Sequence, residues 1–422
     1  MLLKLSIIPF LLVAISCWSQ DVIKVSGRVV DAQTKEALPF STISIKGKPI
    51  GTVTNGEGAF DFYIPITYGS DTLMVSILGY SPYLTAVQLA AGKSHISVEL
   101  VSKPLVLKEV IVNSSESDPN IILRKALGKI GDNYPVDPYV YRGFSRELWS
   151  QNDKVVSLVE SVFDINDPGY ERERNKSSRV REKVDLKNVR ASEDYMNKII
   201  KPVMRTYNSL TAALRWNPVK YSIPNADGDL TAGECTLDDV LYLNDNQIFV
   251  VSYITHSKGS PNFERRDRFY IDSKTFAITK CESKEYAKEG LYRNVPWAFQ
   301  GADSLYMYGA KDVTTVYEFE PYQGKYYLKY YHQTGFADIF NKHTKKVEYE
   351  INGESLLVIT EIVNRKGVKN TMNYGKSLIL QRTPYDELFW NNNNEVKLVP
   401  LTSKETRDLE HEAPLSTQFK KF

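Results

Sequence analysis

The sequence predicts a mainly β protein in two parts, a small β-sandwich followed by a larger antiparallel β domain, a curved sheet or half-open barrel with a few helices. Three observations predict it. Between Val25 and Val87 short apolar strands alternate with turn clusters at the spacing of a compact sandwich. From Tyr139 to Asn364 runs of alternating apolar and polar residues recur, rich in the tyrosines and β-branched residues that suit a pleated, half-buried surface. The chain has 422 residues, with 27 tyrosines against 5 histidines. That length holds two or three cores, and the composition tilts them toward strand.

In the first part, Val25, Gly27 and Val29 lie on one side of an extended segment and Ser26, Arg28 and Val30 on the other, because strand side chains alternate. Asp31 to Glu36 is a turn. Leu38 to Lys46 gives a second strand, with Phe40, Thr42 and Ser44 opposite Ser41, Ile43 and Ile45. Thr54 to Gly58 contains Asn55-Gly56, a pair that supplies the positive φ angles of a tight turn, and Ala59 to Ile64 returns. Leu73 to Leu78 and His95 to Val101 complete the set, separated by breaks at Gly79-Tyr80 and Ala91-Gly92-Lys93.

The succession GRVVDAQTKEALPFSTISIKG, GTVTNGEGAFDF and LMVSILGY resembles the carboxypeptidase-like regulatory domain found in exported proteins of Bacteroidetes-type bacteria. The resemblance spans Val22 to Leu100. It implies a seven-stranded, transthyretin-like sandwich over residues 21–101. It implies no activity, since in that family the domain is accessory. It stands beside metallopeptidase domains, in front of TonB-dependent outer-membrane transporters, or in proteins whose second domain has no assigned function.

The first residues set the expected compartment. Lys4 is a charged n-region, and Leu5 to Ile15 is an apolar run broken only by Ser6 and Pro9. The run is short of the roughly 20 residues of a spanning helix, so residues 1–19 read as a secretory signal peptide cleaved before Gln20. A lipid anchor at Cys17 is the rival reading, because Ile15-Ser16-Cys17 is part of a lipobox, although Ala14 stands where leucine is usual. The expected location is the periplasm or the outer-membrane surface, without a membrane-spanning segment. A net charge of +2 argues against bulk electrostatic binding of nucleic acid. Three cysteines do not make a disulfide scaffold.

Residues 102–138 read as a linker and helix. Ser102 to Ser117 is an edge strand or connector. Asp118 then caps a helix with Pro119 at its first position, Ile122, Leu123, Ala126, Leu127 and Ile130 on its apolar face, and Gly131 at its end. Residues 139–385 form the β-rich part. It opens on a hairpin of Tyr139 to Ser150 and Val155 to Ile165, followed by a helix over Ser192 to Tyr207. Strands follow at Ile248 to Ser257, Arg268 to Asp272, Phe276 to Tyr286, Val313 to Phe319, Tyr326 to Gln333, Lys345 to Ile351 and Leu356 to Asn364. Residues 386–422 read as a tail with short helices.

No chemistry-bearing motif assembles into a catalytic set. A metallocarboxypeptidase needs a His-x-x-Glu pair, and none of His95, His256, His332, His343 or His411 opens one. Asn225, Asp227 and Asp229 imitate a calcium loop, but the glycine falls at 228 and no glutamate closes it. The adjacent Asp238 and Asp239 point to opposite faces of a strand. No Gly-x-Ser-x-Gly elbow or phosphate loop appears. No catalytic residue, metal or cofactor is therefore expected. The basic run Glu171 to Arg190 reads as a solvated strand or loop, with an anionic surface as the alternative.

Two features remain as candidates. In the run from Tyr317 to Tyr331, the side chains of Tyr322, Tyr327 and Tyr331 would capture a ligand if a concave face exposes them; otherwise such aromatics fill a sheet's two faces. Cys235 and Cys281 form a disulfide only if the chain around Cys235 passes within about 7 Å of Cys281, Cα to Cα, and otherwise stay separate thiols. The function classes left are a non-enzymatic cell-envelope binding or assembly protein and an exported hydrolase of unrecognised type acting on glycan or peptide. In the first, the sandwich is an adaptor and the β-rich part holds an envelope protein, a glycan or an apolar ligand.

Overall fold

The computed structural model describes residues 22–103, 118–170, 180–201, 207–222, 230, 233–243, 246–256, 263–287, 292, 305–363, 367–391 and 398–421. The expected signal peptide with Cys17, most of the connector, the run 171–179 and the Asn225, Asp227 and Asp229 loop lie outside these residues.

The N-terminal strands are β1 (Val22–Asp31), β2 (Thr42–Ile45), β3 (Gly51–Val53), β4 (Ala59–Pro65), β5 (Thr72–Ser76), β6 (Tyr83–Ala86) and β7 (Ile96–Leu100), with a short helix α1 (Val87–Ala91) between the last two. They form two sheets in the orders β4-β1-β7 and β3-β2-β5-β6, a seven-stranded sandwich. Alternation decides which side chains enter it: Val25 and Val29 of β1, Ile43 and Ile45 of β2, Phe60, Phe62 and Ile64 of β4, and Leu73 and Val75 of β5 share one core. Each such side chain contributes about 1.5–3 kcal/mol by leaving water. The turn before β4 differs in detail from the Asn-Gly expectation. Gly58, at φ +75°, takes the left-handed conformation instead of Gly56. Asn55 works through its side chain, accepting from the backbone N–H groups of Glu57 and Ala59 at 3.0 and 2.9 Å. Because β3 and β4 belong to different sheets, this turn crosses the sandwich.

The second part is one open antiparallel sheet of ten strands: β8 (Tyr139–Gln151), β9 (Lys154–Asp167), β10 (Lys183–Ala191), β11 (Gly233–Leu243), β12 (Asn246–His256), β13 (Phe263–Asp272), β14 (Ile278–Ala287), β15 (Tyr306–Tyr322), β16 (Lys325–Asn341) and β17 (Lys346–Val363). Their order is β10-β9-β8-β17-β16-β15-β14-β13-β12-β11. Two of its hairpins turn on paired left-handed residues, Asn152-Asp153 and Gln323-Gly324, the geometry that matches strand twist. The two strands expected within 345–364 are one, β17, which stays in register with β8 through Gly353. The end of the basic run is β10, an edge strand of the sheet in which Val184, Val189 and Ala191 are buried while Lys183 is exposed.

Helix α2 (Pro119–Gly128) begins as read, with the Asp118 carboxylate accepting from the Asn120 N–H at 2.8 Å. It ends at Gly128, and a separate turn, α3 (Ile130–Asn133), follows. The helix expected from residue 192 is irregular through residue 200. Ser192, Asp194 and Asn197 take neighbouring backbone groups with their side chains, which competes with helical bonds. Residue 201 is helical and 202–206 lie outside the described residues; beyond them a helix, α4 (Ser209–Arg215), is capped by the Asn208 side chain. The tail carries α5 (Glu387–Trp390), α6 (Ser403–Leu409) and α7 (Leu415–Gln418). A capping box of Thr402 and Glu405 opens α6.

The sheet is covered on both faces. On one, Leu123, Leu127, Leu210 and Leu214 from α2 and α4 pack on Phe269, Ile271, Tyr317 and Leu357. On the other, Phe144, Val162, Tyr330 and Val358 meet Val53 of the sandwich and Trp390 and Val399 of the tail. The sandwich is also tied by backbone: the Ile362 N–H donates to the Pro49 carbonyl at 3.1 Å. Phe40 lies on the His332 ring at 4.1 Å between centroids. Ser403 donates twice to Glu57, at 3.1 and 3.0 Å.

Candidate functional site

The three tyrosines do not converge. Tyr331 is 1% exposed and packs its ring on Tyr317 at 5.0 Å in the core under the helices. Tyr322 and Tyr327 lie together at the β15–β16 turn, half-buried, with their rings 6.1 Å apart and Tyr139 edge-on to Tyr327 at 5.0 Å. The two thiols are free. Cys235 belongs to β11 and Cys281 to β14, so β12 and β13 stand between them. Three strand spacings of about 4.8 Å put them roughly 14 Å apart across the sheet, twice what a disulfide spans. Burial pushes the Cys235 thiol up to about 11 and the Cys281 thiol well above its ordinary value, which makes both poor nucleophiles. Among the described residues no group of three or more His, Cys, Asp or Glu side chains is placed to hold a metal ion.

Strand register builds a polar band across the helix-covered face. Glu147, Ser355, Gln333, Thr315, Ser283 and Asp267 stand opposite one another on successive strands. Tyr207 donates to Gln333 at 2.5 Å, and Gln333 donates to Thr315 at 3.0 Å. Arg265 reaches both oxygens of Asp267 at 3.0 Å. Glu147 accepts from the Ser209 N–H at 2.7 Å, and burial, only partly offset by that bond, raises its carboxyl to about 7. These bonds engage the band's polar groups within the fold, and the Ser209 N–H to Glu147 bond joins it to α4. Lys220 is likewise buried, between Asp167 and Glu182 at 2.5 Å each.

Open space lies on the other face, where the sandwich meets the sheet. Alternation in β2 and β5 sends Ile43, Ile45, Leu73 and Val75 into the sandwich core and leaves Thr42, Met74 and Ser76 facing outward. That outward row lies over β14 and β15. At one end the seam is shut, with the Lys329 ammonium against Gly51 and Val53 in the shared cluster. At the far end the turn after β5, with Gly79 at φ +90°, reaches over so that Leu78 packs by Ile248, Val250 and Tyr270. Between these two closures is a cleft of about 320 Å³. Met74, Ile77, Leu78, Pro82 and Pro321 give it apolar walls, and Lys280, Glu318 and Glu320 line its sheet side.

The charges there are ordered by pairing. Lys280 meets Glu282 at 2.8 Å, and Glu320 meets Lys329 at 3.0 Å. Tyr270 and Tyr330 donate to Glu282 and Glu318 at 3.0 and 3.2 Å. Burial alone would lower the Lys280 ammonium, yet Glu282 and Glu318 outweigh it and hold it above its ordinary value. Burial raises the Glu318 carboxyl, with Lys280 opposing incompletely. A second cleft of about 250 Å³ lies between the sheet and the tail, lined by Arg146, Glu160 and Arg190. Both its guanidinium groups are taken by Glu160.

The five strands read from the sequence are joined by β3 and β6, giving the seven strands in two sheets that the resemblance implies. Residues 25–112 match the model of the CarboxypepD_reg-like domain family. This regulatory-like domain therefore supplies one wall of the cleft. No curated protein matches the chain. Among solved structures, a LolA superfamily protein from Nitrosomonas europaea is 10% identical, covering 58% of this chain and 94% of its own, with a TM-score of 0.25. A putative outer membrane lipoprotein-sorting protein domain from Vibrio parahaemolyticus is 9% identical over 60% and 95%, with a TM-score of 0.24. A DUF1329 family protein from Desulfovibrio piger is 8% identical over 60% and 96%, with a TM-score of 0.27. Superpositions this loose carry nothing about what this chain binds.

The sequence reading missed Met74, Lys280 and Glu318. A signal exists in hindsight: Lys280 and Glu282 on one strand, and Glu318 and Glu320 on another, recur at the two-residue period that puts them on one sheet face.

Proposed function

We propose that the chain is an exported, non-enzymatic binding protein of the cell envelope that holds a small, mostly apolar ligand between its regulatory-like domain and its large sheet. The observation that carries this reading is the cleft of about 320 Å³ at the seam of the two parts, with apolar walls and a few buried polar groups. Ligand sites have that size and lining, and they favour the joints between domains. Lys280 and Glu320 at the cleft are held in ion pairs, and its polar groups are not spaced around a reacting atom, which fits retention better than turnover. The apolar run of residues 5–15 after Lys4 supports export. The sandwich then acts as the adaptor that completes the site.

Titration of the full chain with the neutral apolar dye Nile red tests the reading. The dye should bind once and brighten, and Met74→Trp, which fills the cleft, should abolish that binding while the melting temperature holds. Unchanged dye binding by a folded Met74→Trp chain overturns it.

A further inference from the structure

We propose that the cleft selects an apolar ligand with a cationic head, and that the Glu318 carboxylate is the counter-charge that receives it. This rests on the cleft being a ligand site. The charged residues lining it are Lys48, Lys280, Glu318 and Glu320. Lys48 is exposed, with its ammonium 5.6 Å over the Tyr68 ring at the rim. Lys280 is committed to Glu282, and Glu320 to Lys329. Glu318 is the odd carboxyl. Its hydrogen bond comes from a neutral phenol, Tyr330, and among the described residues no basic group forms an ion pair with it.

With Lys280 and Glu320 held in ion pairs, Glu318 is one further carboxyl on the floor, opposite Lys280 in register and otherwise balanced among the lining residues by Lys48 at the exposed rim, in surroundings that weaken water's screening. A buried carboxyl in that position is raised by burial, as Glu318 is, and a cation at contact distance favours its charged form again. The head of an ammonium ligand supplies that cation, while its tail lies along Met74, Ile77 and Leu78. An anionic head would meet Glu318 and Glu320 with Lys280 already engaged. A neutral head gains only the hydrogen bond that Glu318 offers.

Calorimetric titration of the full chain with decylammonium, decyl sulfate and decyl maltoside, each below its micelle concentration, separates these cases, because the tail is common and only the head changes. Decylammonium should bind at least about tenfold more tightly than the other two. Glu318→Gln, isosteric and uncharged, should bring that preference down to about twofold while leaving decyl maltoside affinity unchanged. Preference for the sulfate, or an ammonium preference that survives in Glu318→Gln, overturns the assignment of Glu318 while the binding reading stands. Failure of all three probes to bind overturns both.

Discussion

Replacing Glu160 by glutamine should destabilise the sheet and release the C-terminal tail. Glu160 is 1% exposed and holds two guanidinium groups at once. One oxygen takes Arg146 at 2.9 and 2.5 Å, and the other takes Arg190 at 2.8 and 2.6 Å. Both arginines reach on into the tail. Arg146 donates to the Val399 carbonyl at 2.6 Å, and Arg190 lies between the Trp390 and Phe419 rings at 3.9 and 4.4 Å. Removing the charge leaves two buried cations facing one amide, a change that costs about 3–5 kcal/mol when a buried pair is broken. With an unfolding entropy of about 2 cal/mol/K per residue over a cooperative unit of roughly 300 residues, the melting temperature falls by about 5–8 °C. Scanning calorimetry reads the shift, and hydrogen exchange over residues 398–419 reads the tail. The exposed Lys129–Asp132 pair, at 2.7 Å, is the control, and Asp132→Asn should move the melt by no more than about 2 °C. Acid gives a second check. Burial would raise the Glu160 carboxyl, but Arg190 and Arg146 outweigh it and hold it below 4.5. Its contribution is therefore whole above the unfolded value of 4.5 and drains away as the pH falls through the lower folded value. A Glu160→Gln melt within the control's range, with the tail still protected, would refute the reasoning.

Glu147→Gln should behave in the opposite sense. The folded carboxyl titrates near 7 and the unfolded one near 4.5, so stability is full below 4.5 and declines as the pH rises through 7. The gap corresponds to on the order of 3 kcal/mol, and the glutamine variant should be the more stable at pH 8 and nearly equal at pH 4.5; parallel pH profiles would contradict this. Tyr331→Ala should lower stability by about 3–5 kcal/mol through the cavity it leaves, whereas Tyr322→Ala should change the melt little, and urea unfolding distinguishes them. Alkylation of denatured, unreduced protein should modify both Cys235 and Cys281, and a mass two hydrogens short with neither modified would show a bridge.

The sandwich was legible because its core positions follow the two-residue period and its turns use residues with particular backbone preferences. The long hairpins of the sheet were legible for the same reason. Strand β11 was not, since its inward and outward residues both include polar types and Asp238-Asp239 sits at a bulge. The helix expected from residue 192 shows the limit of periodicity. Tyr195, Met196, Ile199 and Ile200 keep helical spacing, but the local side-chain bonds of Ser192, Asp194 and Asn197 hold another path, and those apolar residues serve as a packed turn. The candidate site was hidden for a different reason. Met74 and Glu318 are 244 positions apart in the chain, and only the docking of one sheet's outer face on another brings them together. The tyrosine run drew attention by composition, yet register divides it between core and turn.

Photolabelling of the full chain by a decylammonium probe carrying a diazirine at its tail, followed by peptide mapping, tests the central claim most directly. Labels should fall on the peptides holding residues 74–82 and 318–321, the two sides of the cleft, and should disappear in Met74→Trp. Labels concentrated instead on residues 119–134 and 209–215, beneath the helices on the opposite face, would place the ligand elsewhere and contradict the account.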